Sequence, residues 1–426
     1  MKNAIYDTVV NMFGKLKKFK INTDENLIDK ILSRSVAEIL PSRDVLKKKL
    51  MEGVRLRFYI GADATGPELH LGHATNFILL EKIRQLGHEV IILFGDFTAM
   101  IGDPTDKGAV RQKLSQDQVK ENIQSWKKQV EKVISFSDKT NPAIIKQNST
   151  WLSQLKFNDI VTIASHFTVQ HMIERDMFDR RLKENKPVYL HEFLYPLMQG
   201  YDSVVMDVDV EVGGTDQTFN MLAGRTLQKR FNNKEKFVIT TNLLEDPNTG
   251  KKLMSKSEGG YIALNDSPSE MYGKTMALPD EVIVSMFTDT TYVSNIDIQQ
   301  IKKDLENGNN PRDIKMRLAR EIVTIYHGED EAEKAENGFV ETFRNKGVPE
   351  DTVAITVTKG VTLKEVGKKV VVENIVSSNT DFNRLLRDEA ISNADTGEKI
   401  TDSDYIFETD TTLKIGKKRF VNITLS

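Results

Sequence analysis

The sequence predicts an α/β fold. A Rossmann-like, doubly wound parallel sheet forms the first domain, followed by an α-helical domain and a small α+β unit. Three observations predict it. Residues 55–95 run strand, loop, helix, strand, in the order and length of a right-handed βαβ crossover. A second strand–helix–strand alternation spans 207–244. From about 350 the texture shifts to short strands and turns.

The elements follow in order. Residues 26–52 read as amphipathic helix. RLRFYIGAD (55–63) is an apolar strand, and LGHATNFILLEKIRQLG (71–87) has helical apolar spacing that stops at a glycine. EVIILFG (89–95) is a continuous apolar strand, suited to burial on both faces of a parallel sheet. A polar helix covers 115–136, a strand lies within 141–147, and a helical stretch runs from about 152 to 203. DVDVEVGG (207–214) alternates as a strand, 216–231 is a helix, and KFVITTNLL (236–244) is a strand. The loop DPNTGKKLMSKSEGG (246–260) precedes a helical region to 345. The tail reads as strands and turns at VAITV, VTLKEVGKKVVV and LKIGKKRFVNITL, with a helix at NTDFNRLLR. The expected domains are 1–245, with an insertion at about 115–190, then 246–345 and 350–426.

Composition narrows the function classes. The 426 residues exceed one ordinary core. With 39% hydrophobic and 28% charged residues, a globular, soluble chain is expected. No apolar run approaches the ~20 residues that span a bilayer. The absence of cysteine excludes disulfides and thiolate metal sites. The N-terminal stretch lacks a signal-peptide core, so a cytoplasmic location is expected. A net charge of −3 argues against nucleic-acid binding by bulk electrostatics but leaves local basic patches open.

Two motifs carry chemistry. His70 and His73 flank Gly72 at the start of the helix, at the carboxyl edge of the predicted sheet. Doubly wound folds bind nucleotides at that edge. Helix N-termini favour phosphate. Two imidazoles there can donate to phosphoryl oxygens as charge develops, and Gly72 admits a flat nucleoside close to the backbone. Capping or surface histidines remain the alternative on this motif alone. No third ligand sits nearby at metal spacing, so no metal site is expected. The second motif, KKLMSKS (251–257), is a lysine-rich loop that could clamp a triphosphate; solvated surface is its alternative.

Together, HLGH and LMSKS resemble the paired signatures of class I aminoacyl-tRNA synthetases, usually written HIGH and KMSKS. FYIGADATGPELHLGH, MIGDPTDK, YPLMQGYD and VGGTDQTFN, in this order, resemble the bacterial-type tyrosyl-tRNA synthetase family over nearly the whole chain. The tail resembles its S4-like RNA-binding domain. The resemblance implies that Tyr59 and Asp202 read the tyrosine phenol. It implies that Asp103, Tyr195 and Gln199 hold the α-ammonium and that Gln217 lies near the carboxylate. Tyr195, Gln199 and Asp202 are spaced so that one helical face presents all three. By the same resemblance Gly61, Asp63, Thr65, Gly72, Gly213, Gly214, Asp216, Met254, Ser255 and Lys256 bind ATP. His70, His73, Lys256, Lys107 and Arg111 act on its phosphates. Lys229 and Arg230, with Arg384, Arg387, Lys417, Lys418 and Arg419 in the tail, are candidate tRNA contacts. The tail is not basic overall, with 12 Lys and Arg against 13 Asp and Glu over 346–426.

The implied reaction is tyrosine activation by ATP with Mg²⁺, releasing pyrophosphate, then transfer to the 3′ end of tRNA(Tyr). A homodimer with the 115–190 insertion in its interface is implied, with neither a tightly bound metal nor a membrane partner. Departures from the family pattern are Ala64 for proline, Leu253 where the first signature lysine stands, with Lys252 displaced by one, and Glu211 where some members carry glutamine. Tryptophanyl-tRNA synthetase, a small-molecule nucleotidyltransferase and a non-catalytic RNA-binding protein on the same fold are the rival readings.

Overall fold

The computed structural model describes residues 20–102, 114–173, 176–254, 260–344, 352–394, 396–416 and 419–425. Asp103, Lys107, Arg111, Ser255, Lys256, Lys417 and Lys418 lie outside the described residues. The chain divides into two compact units. One runs to Asp266 and includes Ala277–Tyr326; the other joins Ser267–Met276 to the chain from His327 on.

The first unit is built on a six-stranded sheet. Its strands are β1 (Val36–Leu40), β2 (Arg57–Asp63), β3 (Glu89–Gly95), β4 (Ile144–Gln147), β5 (Val210–Gly214) and β6 (Phe237–Thr241). Their spatial order is β1-β6-β5-β2-β3-β4. β2 through β6 pair in parallel, and β1 runs antiparallel on the edge against β6. Phe58, Tyr59 and Ile60, consecutive on β2, are all buried, as are Val90 through Gly95 on β3. Both sheet faces are therefore covered, which is why these strands read as unbroken apolar runs.

Four helices frame the site: α1 (Leu71–Gln85), α2 (Gln116–Val130), α3 (Leu194–Val205) and α4 (Thr218–Asn232). α1 stops before Gly87, whose φ is +101° and where a Cβ would lie 2.7 Å from the Lys20 carbonyl oxygen. α2 begins at Ser115, whose side chain and that of Gln118 cap each other's backbone N–H groups. α3 and α4 pack closely across Gly200: a Cβ there would stand 2.9 Å from Leu227 and 3.2 Å from the Ala223 backbone.

The sequence reading of 26–52 as one helix is corrected. The segment is helix Glu25–Ser33, then β1, then helix Arg43–Met51. Ser35 takes φ +61°, which ends the first helix. Pro41 disfavours helical backbone at Leu40, and pairing with β6 fixes the strand.

In the second unit, helices Pro268–Met276 and Glu329–Arg344 meet at Tyr272 and Phe339, with ring centroids 5.3 Å apart. Its sheet has strands β7 (Ala354–Val357), β8 (Ile391–Asn393), β9 (Thr411–Ile415) and β10 (Arg419–Leu425), ordered β7-β10-β9-β8. VTLKEVGKKVVV, expected as strand and turn, is instead helix Leu363–Val372. Thr362 and Glu365 form a capping box that starts it, and the run of valines hid the helical period. LKIGKKRFVNITL is two antiparallel strands rather than one; the chain leaves β9 through Gly416 at φ +71°. One apolar core cluster of this unit runs from Ile355 to Ile423, within the tail.

Candidate active site

β2 and β5 are neighbours in the sheet although about 150 residues separate them, and β2 is the point where strand order reverses. Ligands of open α/β sheets bind beyond the carboxyl ends of the strands at such a point. Tyr59 and Glu211 are register partners across β2 and β5. Asp63 ends β2, and Gly213 and Gly214 end β5.

Tyr59 is fully buried, and its hydroxyl lies 2.8 Å from Ser203 Oγ. Asp202, on α3, is 2% exposed. Trp151 Nε1 donates to its Oδ1 at 2.7 Å and Asn148 Nδ2 to its Oδ2 at 3.2 Å. Burial pushes both the Tyr59 phenol and the Asp202 carboxyl well above their ordinary pKa values; the Trp151 and Asn148 donors oppose the shift at Asp202. The expected phenol-reading residues thus share one interior, each held by other side chains.

A chain of hydrogen bonds joins this end to the strand terminus. Asn148 Nδ2 also donates to Thr98 Oγ1 at 3.0 Å, and Thr98 donates to Asp63 Oδ1 at 2.6 Å. Tyr195 donates its phenol hydrogen to Asp63 Oδ2 at 2.9 Å. Gly95 makes the space, since a Cβ there would lie 2.1 Å from Asp63 Oδ1. Gln199 Nε2 donates to Glu211 Oε1 at 3.0 Å, leaving its amide oxygen as an acceptor. Tyr195, Gln199 and Asp202 do share one face of α3, as their spacing predicts.

At the other end, His70 caps α1 and its ring centroid lies 3.9 Å from that of His73. The His70 backbone N–H donates to His73 Nδ1 at 3.2 Å. In a neutral His73 the hydrogen therefore sits on Nε2. The chain after the signature loop is anchored beside them: Leu71 N–H donates to Ile262 O at 3.1 Å, and Leu264 N–H to Leu69 O at 2.9 Å. A Cβ on Gly72 would lie 3.1 Å from the His70 ring and 3.6 Å from Met254 Cβ, so Met254 lies over this glycine. Gly61 is exposed at the end of β2, and Thr65 N–H turns back to the Asp63 carbonyl at 2.7 Å.

Gly214 packs against Asp216; a Cβ there would meet its Oδ1 at 2.7 Å. Asp216 is ion-paired with Lys252 at 3.0 Å. The displaced lysine therefore reaches a carboxylate expected to bind ATP, while Leu253 N–H bonds the Leu244 carbonyl at 2.8 Å. Gln217, at the start of α4, accepts from Asn220 Nδ2 at 3.0 Å.

Lys229 and Arg230 are exposed in the last turn of α4, with Lys229 paired to Glu235 at 2.9 Å. In the second unit Arg384 pairs with Asp381 at 2.6 Å, Arg419 lies 3.6 Å from the same carboxylate, and Arg387 is exposed. Asp381 thus brings two of the expected tail arginines together and offsets part of their charge.

Sequence reasoning missed Asn148, Trp151, Thr98, Ser203 and Lys236, all bonded into this site. Lys236 carried a weak signal: it is a charge bordering an apolar strand.

The family model for class I tRNA synthetases (W and Y) matches residues 51–344. The tyrosine–tRNA ligase of Carboxydothermus hydrogenoformans is 42% identical, covering 92% of this chain and 96% of that protein. That of Moorella thermoacetica is 39% identical, covering 95% and 97%. A C-terminally truncated Aspergillus nidulans mitochondrial tyrosyl-tRNA synthetase shares the fold at TM-score 0.63 and 23% identity, covering 74% of this chain and 94% of that one. The chain belongs to the tyrosine–tRNA ligases, within the class I tRNA synthetases.

Proposed function

We propose that this protein joins tyrosine to tRNA(Tyr) in two steps at the β2–β5 site. The tyrosine carboxylate attacks the α-phosphorus of ATP, supplied with Mg²⁺, and pyrophosphate leaves. The 3′-terminal hydroxyl of the tRNA then attacks the carbonyl carbon of tyrosyl-adenylate, and AMP leaves. The observation that carries this reading is the buried Asp202 carboxylate, fixed by Trp151 and Asn148, in the same interior as the Tyr59 phenol. A phenylalanine side chain would offer neither group a hydrogen bond, and rejecting a ligand that lacks a hydroxyl is what such buried polar groups do well; the handling of Phe by this enzyme family is itself a standard example.

Tyr195, Gln199 and Asp103 offer oxygens to the α-ammonium, and Gln217 lies toward the carboxylate. Asp63, Thr65, Gly61, Gly72, Gly213, Gly214, Asp216 and Met254 frame the nucleotide. His70 and His73 donate hydrogen bonds to phosphate, and Lys256, Ser255, Lys107 and Arg111 meet the triphosphate. Such a displacement needs positioning and charge stabilisation more than a protein nucleophile.

The functional parts are 1–245, 246–345 and 350–426, the last an S4-like RNA-binding unit using Arg384, Arg387, Lys417, Lys418 and Arg419. Lys229 and Arg230 approach the acceptor stem. A homodimer forms through the 115–190 region. An apolar groove lined by Phe97, Leu152, Ile163, Leu197 and Tyr201 supports this pairing, as do the exposed apolar side chains Phe157 and Leu190 within the region. The setting is the cytoplasm; among the described residues no helix is long and apolar enough to cross a membrane. ATP–pyrophosphate exchange run with each of tyrosine, phenylalanine and tryptophan tests the reading. Tyrosine-dependent exchange is expected, and equal exchange with tryptophan would overturn it.

A further inference from the structure

α2 turns a row of polar side chains toward the loop that joins β2 to α1. Asn122 Nδ2 donates to the Ala64 carbonyl at 2.8 Å, Trp126 Nε1 to that of Gly66 at 2.7 Å, and Ser125 Oγ to that of Pro67 at 2.8 Å. Gln129 uses both ends of its amide. Its Nε2 donates to the Pro67 carbonyl at 2.9 Å, and its Oε1 accepts the Leu69 N–H at 2.8 Å. Positions 122, 125, 126 and 129 are spaced by three and four, so one face of the helix carries them all. Trp126 and Gln129 are each 3% exposed.

Packing α2 on the domain does not require this row. Val119, Ile123 and Val130 of the same helix are buried and supply apolar contact. Burying an amide such as Gln129 is costly unless its polar atoms are bonded. What the row adds is direction: hydrogen bonds weaken steeply as they bend, so they fix where the peptide groups of the loop point. Residues 64–69 need such a hold. They belong to neither β2 nor α1, and Ala64 does not lock φ as a proline would. The loop leads directly into His70, and the Trp126 ring centroid lies 6.2 Å from that of His73.

We propose that Asn122, Ser125, Trp126 and Gln129 splint the backbone of residues 64–69 in the shape that presents Thr65 and His70 to ATP. The four are positioning residues of the nucleotide end. This rests on the reading of that end as the ATP site and names what holds it in shape.

The test uses the full chain. Pyrophosphate exchange is run with ATP varied at saturating tyrosine, and the Kd of tyrosine is measured without ATP by equilibrium dialysis. Trp126→Phe keeps an aromatic ring in the buried place and removes its N–H. Asn122→Asp keeps the shape of the side chain but sets an acceptor against the Ala64 carbonyl. Each should lower kcat/KM for ATP by about fivefold or more, the worth of one hydrogen bond, while the Kd of tyrosine stays within about twofold. Melting curves identify any variant that does not fold. Ser125→Ala, at a half-buried place, then carries the same comparison with a loss of about threefold. Folded variants with unchanged ATP parameters would overturn the proposal. So would equal losses for ATP and for tyrosine, which is the outcome of a general loosening of the domain. A wild type without tyrosine-dependent exchange would instead overturn the reading of the site itself.

Discussion

Tyr195 donates its phenol hydrogen to Asp63 across 2.9 Å, tying the helix that carries Gln199 and Asp202 to the strand end that leads to His70 and His73. The two ends of the proposed site, one read as the amino-acid end and one as the nucleotide end, meet at this bond. Hydrogen bonds to a charged partner contribute about 1.5–3 kcal/mol. Tyr195→Phe should therefore lower kcat/KM for tyrosine in pyrophosphate exchange by roughly tenfold or more. A variant matching the wild type would show that the two ends are held together by other contacts.

Asp202→Asn should relax discrimination against phenylalanine and lower tyrosine activation. The carboxylate is held by Trp151 and Asn148, and an amide presents a donor where an acceptor stood. The tyrosine-to-phenylalanine ratio of kcat/KM is expected to drop at least about tenfold. An unchanged ratio removes Asp202 from phenol reading.

The two loop lysines should separate kinetically. Lys256→Ala is expected to lower kcat for adenylate formation with little change in tyrosine affinity, since its charge matters most as the triphosphate breaks. Lys252 is engaged with Asp216 at 3.0 Å, and both side chains are well exposed. Exposed pairs contribute at most about 1 kcal/mol, so Lys252→Ala should shift KM for ATP by no more than about fivefold. Equal losses of kcat in the two variants would mean that the displaced lysine does the work of the missing one.

His88 should make stability fall in acid. It is buried, its Nδ1 accepts the Leu56 N–H at 3.2 Å, and burial, aided by the Arg55 charge, lowers its pKa to about 4. The folded chain binds this proton less well than the unfolded one, whose value is 6.5. Stability from such a group is complete above the unfolded value and is lost as pH falls toward the folded one. His88 alone should remove up to about 3 kcal/mol between pH 7 and pH 4. His88→Asn keeps an acceptor for Leu56 and should flatten that part of the denaturation profile. Parallel wild-type and variant profiles would exclude His88 as the cause.

The tail should be separable from amino-acid activation. Its core, from Ile355 to Ile423, lies within the tail itself, and the proposed tyrosine and ATP residues lie between 59 and 256. Ending the chain before residue 352 should leave tyrosine-dependent exchange near the full rate while tRNA charging falls and the salt dependence of tRNA affinity weakens. A melting curve checks that the shortened chain is folded. Undiminished charging by a folded truncation would deny the tail a role in tRNA binding.

The sequence by itself determined the parallel βαβ frame, the placement of His70 and His73 at a helix start, and the face of α3 that carries Tyr195, Gln199 and Asp202. These are local matters: periodicity, caps and spacing of three and four are written in adjacent residues. It misled where local patterns compete. The valines of 363–372 imitated a strand although Thr362 and Glu365 cap a helix, and β1 was hidden between two helices because its partner, β6, is about 200 residues away. Only the tertiary structure decided that Glu211 is neutralised by Lys236, that Trp151 and Asn148 hold Asp202, and that Lys252 reaches Asp216. Those contacts join side chains from separate strands, helices and loops. Whether a buried charge has a partner depends on what the fold brings opposite it, and spacing along the chain does not record that.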